Sequence, residues 1–146
     1  MADSPDVVPE FAVSDWRVSR AFYCDFLGFN CRYDRPEEGF AYLTRGSAHL
    51  MLDQIGQGRD FLVPTARPFG QGVNVQIRVD DLTPLVAALQ GRGWPLHLLP
   101  EDRWYRRDRV EVGNRQFVVA DPDGHLLRFY QGLGERPWEN ATSGQT

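Results

Sequence analysis

From residue 73 to 79 the chain reads VNVQIRV, apolar and polar side chains alternating without interruption. Successive side chains of a strand point to opposite faces, so Val73, Val75, Ile77 and Val79 predict a buried face. Asn74, Gln76 and Arg78 then line the other. The next stretch, DDLTPLVAALQGRGW, changes period: Leu82, Leu85, Val86 and Leu89 form a helical stripe. Asp80 or Asp81 is placed to cap it, and Pro84 falls in the first turn, where no helical acceptor awaits an amide hydrogen. Gly91 and Gly93 stop it.

The same grammar occurs earlier. VVPEFAV reads as a strand entering a helix capped by Ser14 or Asp15, with Val18, Ala21, Phe22 and Phe26 as the apolar stripe and Gly28 as its end. Strands follow over 29–34, 39–44 and 47–53, separated by DRPEEG and RG turns. Residues 54–72 are rich in glycine and proline and read as a linker or loop. In the second half, PLHLL predicts a short strand, 100–111 a charged and aromatic loop, and VGNRQFVVAD and HLLRFYQG two final strands. AVSDW overlays RVDDL at an offset of 66 residues, and TRGSAHLML overlays PDGHLLRFY at an offset of 78. The expectation is one α+β domain of two βαβββ modules forming a curved mixed sheet, with modules at about 7–53 and 73–132 and a tail over 133–146.

The polar side of these strands is the place for a ligand. Val8, Glu10 and Ala12 share it in the first strand, Leu126, Arg128 and Tyr130 in the last, and Phe40, Tyr42, Leu50 and Leu52 between them. Such a surface has the aromatic walls and few polar groups of a small-molecule pocket.

Composition narrows the partners. At 146 residues, 42% apolar and a formal charge of −4, the chain is an ordinary globular domain, and it lacks the concentrated basic surface that nucleic acid requires. An acidic molecule instead suits a cationic small ligand. Cys24 and Cys31 have no CxxC spacing and read as reduced packing residues. With no secretory signal and no stretch long enough to span a bilayer, a cytoplasmic protein without membrane contact is expected. No GxSxG, P-loop, HExxH or CxxC motif marks an active site.

VPEFAVSDWRVSRAFYCDFLGF and RQFVVADPDGHLLRFYQG together resemble the vicinal oxygen chelate superfamily of glyoxalases, dioxygenases and bleomycin resistance proteins, most of all the bleomycin resistance branch. The resemblance runs from about Val7 to Gly132. It implies paired βαβββ modules, a homodimer with an exchanged arm or module, and ligand sites in the concave sheet and at the subunit interface. Enzymes of the superfamily hold a divalent ion from equivalent strand positions, which here correspond to Val8, Leu50, Asn74 and Arg128. Valine and leucine carry no donor and arginine brings a positive charge, so no metal and no cofactor are expected. His49 and His125 are assigned to the opposite strand parity from Leu50 and Arg128, and His97 to a separate strand.

The resemblance therefore implies a non-catalytic protein that binds and sequesters a bleomycin-class glycopeptide antibiotic, free or metal-chelated, and so confers resistance. The alternative is a metal-dependent or metal-free enzyme of the same superfamily. Candidate ligand-binding residues are Glu10, Phe40, Tyr42, Asp60, Asn74, Gln76, Trp104, Tyr105, Arg128 and Tyr130. Arg128 is expected to hold a cleft carboxylate such as Glu10, or an acidic group of the ligand or partner; with Glu10 it either orients a ligand or forms a structural pair. Asn74 and Gln76 offer amide hydrogen bonds or satisfy edge groups. The aromatic residues form either cavity walls or ordinary packing, and Trp104, among charged neighbours, reads as an exposed recognition residue.

Overall fold

The computed structural model describes residues 5–139; Met1 to Ser4 and the end of the expected tail, 140–146, lie outside the described residues. In chain order it contains β1 (Glu10–Val13), α1 (Trp16–Ala21) continued by a π-helical turn (Phe22–Phe26), β2 (Asn30–Arg35), β3 (Phe40–Arg45) and β4 (Ala48–Gln54). The second half contains β5 (Asn74–Arg78), α2 (Thr83–Gly91), β6 (Leu98–Arg107), β7 (Val110–Ala120) and β8 (Leu126–Pro137). Each half is a βαβββ module. The strands form two mixed four-stranded sheets, ordered β1-β4-β3-β2 and β5-β8-β7-β6, rather than one continuous curved sheet. In each, the first strand runs parallel to the last and the remainder are antiparallel hairpins.

Asp15 caps α1, its carboxylate accepting from the Arg17 and Val18 amides. The buried stripe differs from the expected one. Trp16, Ser19, Phe22, Tyr23 and Leu27 face the core, whereas Val18 is 53% exposed and Ala21 is exposed. The π-helical turn widens the helix by a residue and rotates its last apolar side chains relative to a 3.6-residue stripe. In the second helix Leu82, Leu85 and Leu89 are buried, and the Asp81 side chain accepts from the Thr83 amide. Phe22, Phe26 and Trp94 make a ring cluster where the two helical segments meet, and the Trp94 indole N–H donates to Ala120 O. One core thus serves both modules.

Two boundaries are corrected. The expected loop over 100–111 is mostly strand, because β6 runs to Arg107 and turns at Asp108 into β7. The expected tail begins inside β8, which continues to Pro137. Cys31 is exposed and Cys24 half-buried, so Cys31 is no packing residue; desolvation pushes both thiols up, and neither is a thiolate nucleophile at neutral pH.

Buried carboxylates join the modules. The Asp123 carboxylate accepts from the Ser14 amide at 2.9 Å, the Ser14 hydroxyl at 2.5 Å and the Arg67 guanidinium at 2.9 Å, so β1, the linker and the β7–β8 turn meet at one side chain. The linker passes close over that turn. A Cβ on Gly70 would lie 2.8 Å from His125 Cα and 3.0 Å from Gly124 O. Gly70→Ala should therefore cost about 1–3 kcal/mol. It should also speed proteolysis within residues 54–72, checked by thermal melts and limited digestion; an unchanged digestion pattern would contradict the close approach.

Candidate functional site

Each sheet has one face on the core and one face open. On the first, Glu10 and Ala12 of β1 share the open face with Met51 and Asp53 of β4 and with Phe40 and Tyr42 of β3. Leu50 and Leu52, expected on this side, are buried on the core face instead. Phe40 and Tyr42 are only 4% and 8% exposed, because Tyr33 stacks on Tyr42 at 5.1 Å and the Arg35 guanidinium lies 3.9 Å over the Phe40 ring. The Tyr42 hydroxyl meets His49 Nδ1 at 2.6 Å. His49 has the opposite parity from Leu50, as expected, but Leu50 faces the core, so it is His49 that sits on the open face. As free cavity walls Phe40 and Tyr42 are already covered by their own neighbours.

The second open face holds Asn74, Gln76 and Arg78 of β5, Arg128 and Tyr130 of β8, and Gln116 and Val118 of β7. Tyr105 and Glu101 of β6 reach the same face, since the Gln116 amide nitrogen donates to the Tyr105 hydroxyl at 2.7 Å and to Glu101 at 3.1 Å. Trp104 points the other way. It lies over Gly113, where a Cβ would be 2.7 Å from the indole, with the Arg136 guanidinium 4.1 Å above its ring. It is therefore a packed strand residue, not an exposed loop aromatic. The absence of a Gly113 side chain makes room for it.

Arg128 forms no ion pair with Glu10. Glu10 stands on the first sheet, and its charged neighbours are Asp53 and Arg35. Arg128 Nε is buried without a hydrogen-bond partner, and so is Gln116 Oε1. The two residues are diagonal neighbours, since Arg128 pairs with Val118 and Tyr130 with Gln116. An unpartnered N–H donor and an unpartnered carbonyl acceptor therefore share one patch. Gln116 escaped the sequence reading because FVVA beside it marks a core strand; the outward parity of a glutamine in that strand was the available signal.

Between the free edges of β1 and β5 lie two openings. One, of about 430 Å³, runs between β5 and the β3–β4 turn. The other, of about 470 Å³, runs between β1 and the start of β8 and is bordered by Leu62, Val63, Pro64 and Phe69 of the linker. Glu10 borders the second, as does His125. Asp60 accepts from the Gly56 amide and lines a smaller hollow with Glu10 and Asp53. The ten candidates thus fall into separate groups: Glu10 with Asp60, the covered pair Phe40 and Tyr42, the second open face, and Trp104 on the reverse side.

Desolvation, and then Asp53, push the Glu10 carboxyl above its ordinary value of 4.5. The fold thus favours the protonated form: the stabilisation is complete below the unfolded pKa and is lost as pH rises through the folded one. Glu10→Gln should raise the melting temperature at pH 7 relative to the parent. The advantage should vanish as pH falls below about 4; paired thermal melts at the two pH values check it.

The model of the "Glyoxalase/Bleomycin resistance protein/Dioxygenase superfamily" matches residues 7–129. The chain belongs to that superfamily. Bleomycin resistance proteins of Geobacillus stearothermophilus and Staphylococcus aureus are each 29% identical over 136 residues, covering 86% of this chain and 96% of theirs. TioX from Micromonospora sp. ML1 superposes with a TM-score of 0.68 at 22% identity, over 89% of this chain and all of its own. A virulence protein of Salmonella typhimurium does so with a TM-score of 0.64 at 19% identity, over 88% and 96%. These two share the superfamily fold.

The ion-binding positions implied by superfamily membership do not fit a divalent cation here. Strand register pairs Glu10 with Met51 and Gln76 with Arg128, so the first-module counterpart of Arg128 is Met51, one residue from the expected Leu50. The set is then Val8, Met51, Asn74 and Arg128. Its members are one side chain without a donor, a soft thioether, a neutral amide and a cation, a combination unsuited to magnesium, calcium or zinc. No cluster of three or more histidine, cysteine, aspartate or glutamate side chains suited to a metal occurs among the described residues. Nor is any helix among them long and apolar enough to cross a membrane.

Proposed function

We propose that the protein binds a bleomycin-class glycopeptide antibiotic as a homodimer and protects by sequestration, leaving the drug chemically unchanged. The observation that carries this reading is the pair of unpartnered polar atoms on the second open face. Arg128 Nε needs an acceptor and Gln116 Oε1 needs a donor. Both atoms are covered in the free protein, so a peptide-like amide meets them as the two side chains turn outward; leaving either buried without a partner costs about 1–3 kcal/mol. Tyr105 and Tyr130 offer flat apolar surface beside them, and Asn74 and Gln76 offer further amide contacts. An overall charge of −4 favours approach of a cationic drug. The named relatives point to the same ligand class, and the unsuitable ion-binding positions favour affinity over chemistry.

Isothermal titration with bleomycin, with and without copper, tests the reading. Saturable binding at micromolar concentrations is expected, with a dimeric mass by light scattering and drug recovered intact by mass spectrometry. No heat at high micromolar concentration would overturn the ligand. Chemically altered drug would overturn the non-catalytic mechanism.

A further inference from the structure

We infer that the groove between β1 and the start of β8, bordered by the linker, is a second binding site, which takes a small aromatic primary amine between His125 Nε2 and the Glu10 carboxylate. It goes beyond the antibiotic reading, which rests on the other face of the second module. Asp121 is buried and accepts hydrogen bonds from the Asp123 amide at 3.0 Å, the His125 amide at 2.8 Å, the His125 ring at 2.9 Å and the Tyr23 hydroxyl at 2.8 Å. A carboxylate so surrounded by donors acts as acceptor alone. When the imidazole is neutral, this acceptor holds its one proton on Nδ1 and leaves Nε2 with a lone pair.

Among the described residues Nε2 makes no protein hydrogen bond, and His125 lines the cavity. The ring cannot readily turn away. Phe11 stacks face to face on it at 4.2 Å and 4°, and Phe69 meets it edge-on at 5.9 Å. The acceptor is thus held in place before any ligand arrives, which reduces the ordering cost of binding.

The second handle is Glu10, whose nearby Asp53 adds negative charge, while Arg35 is already engaged by Glu38 at 3.1 Å and lies against Phe40. Between the two acceptors the walls are apolar: Phe11, Ala12, Leu62, Val63 and Phe69. Two acceptors, an excess of negative charge and an apolar body select a donor-rich cation on a compact ring. The cavity, about 470 Å³, is of a size for such a molecule. The opening on the β5 side is bordered by Arg45 and Arg78 as well as Asp80, so two guanidinium groups there oppose a cationic ligand.

Phenethylamine, 2-phenylethanol and 3-phenylpropionate, which present one ring with a cation, a neutral group or an anion, provide the test near pH 8, at about which imidazole is neutral. Binding is read by thermal shift, and the His125 ring nitrogens by ¹⁵N NMR. The amine should bind about tenfold or more tightly than the alcohol, the carboxylate weakest of all, with the Nε2 resonance moving on saturation. Glu10→Gln should erase the preference for the amine, and Ala12→Phe should weaken all binding by filling the cavity. Glu10 is exposed, so its variant remains informative if Ala12→Phe does not fold. Equal affinities, no binding of any probe, a stationary Nε2 resonance or undiminished binding in the folded variants would each overturn the inference.

Discussion

Asp121→Ala should lower folding stability by about 3–5 kcal/mol, comparable to removing one partner from a buried charged pair. The size follows from what the carboxylate leaves behind. Tyr23 is fully buried, and its hydroxyl, two backbone amides and the His125 ring all donate to this one side chain. None of these donors has a substitute acceptor once the side chain is gone, and water reaches them only if the β7–β8 turn opens. For a chain of this length the melting temperature should fall by about 10 °C. Urea unfolding and calorimetry measure both quantities. A soluble variant melting within about 2 °C of the parent would show that the four donors are not dependent on Asp121.

Arg128→Met should behave in the opposite sense for the free protein. Removing a buried guanidinium nitrogen that lacks a partner removes a desolvation penalty, and methionine fills much of the same volume, so stability should hold or rise by about 1 kcal/mol. Binding should suffer. A hydrogen bond from a charged donor contributes about 1.5–3 kcal/mol, so affinity for bleomycin should fall about 10- to 100-fold. Denaturant melts and titration of the same preparation separate the two effects. Unchanged affinity would remove Arg128 from the proposed site, and a large loss of stability would mean that the arginine serves the fold.

The paired βαβββ grammar was legible because β5 alternates cleanly, both helices carry caps and glycine stops, and their strands precede them at a constant offset. Three features were not legible, each for a local reason. Residues 100–107 read as a loop because the strand extends past the core and is polar on both faces; ion pairs between strands such as Asp102 with Arg115, Glu135 with Arg107 and Glu111 with Arg136 accompany this extension, and apolar alternation does not reveal it. The face assignment of Leu50, Met51 and Leu52 was ambiguous since all three are apolar. An overlay through the turn then fell one residue off the hydrogen-bonded register and moved His49 to the wrong side. The expected Arg128–Glu10 pair assumed one continuous sheet, whereas the two residues belong to different ones.

Internal pseudo-twofold symmetry gives the molecule two related seams but only one connecting segment. Val7 and Pro9 in one seam correspond to Val73 and Val75 in the other, and His125 occupies the place of Ala48. The connector borders only one seam, the one whose wall holds an imidazole, and the β3–β4 turn borders its twin instead. A homodimer of single modules would treat both alike. Covalent linkage of the two modules therefore breaks the equivalence, and linker residues shape one seam without bordering the other.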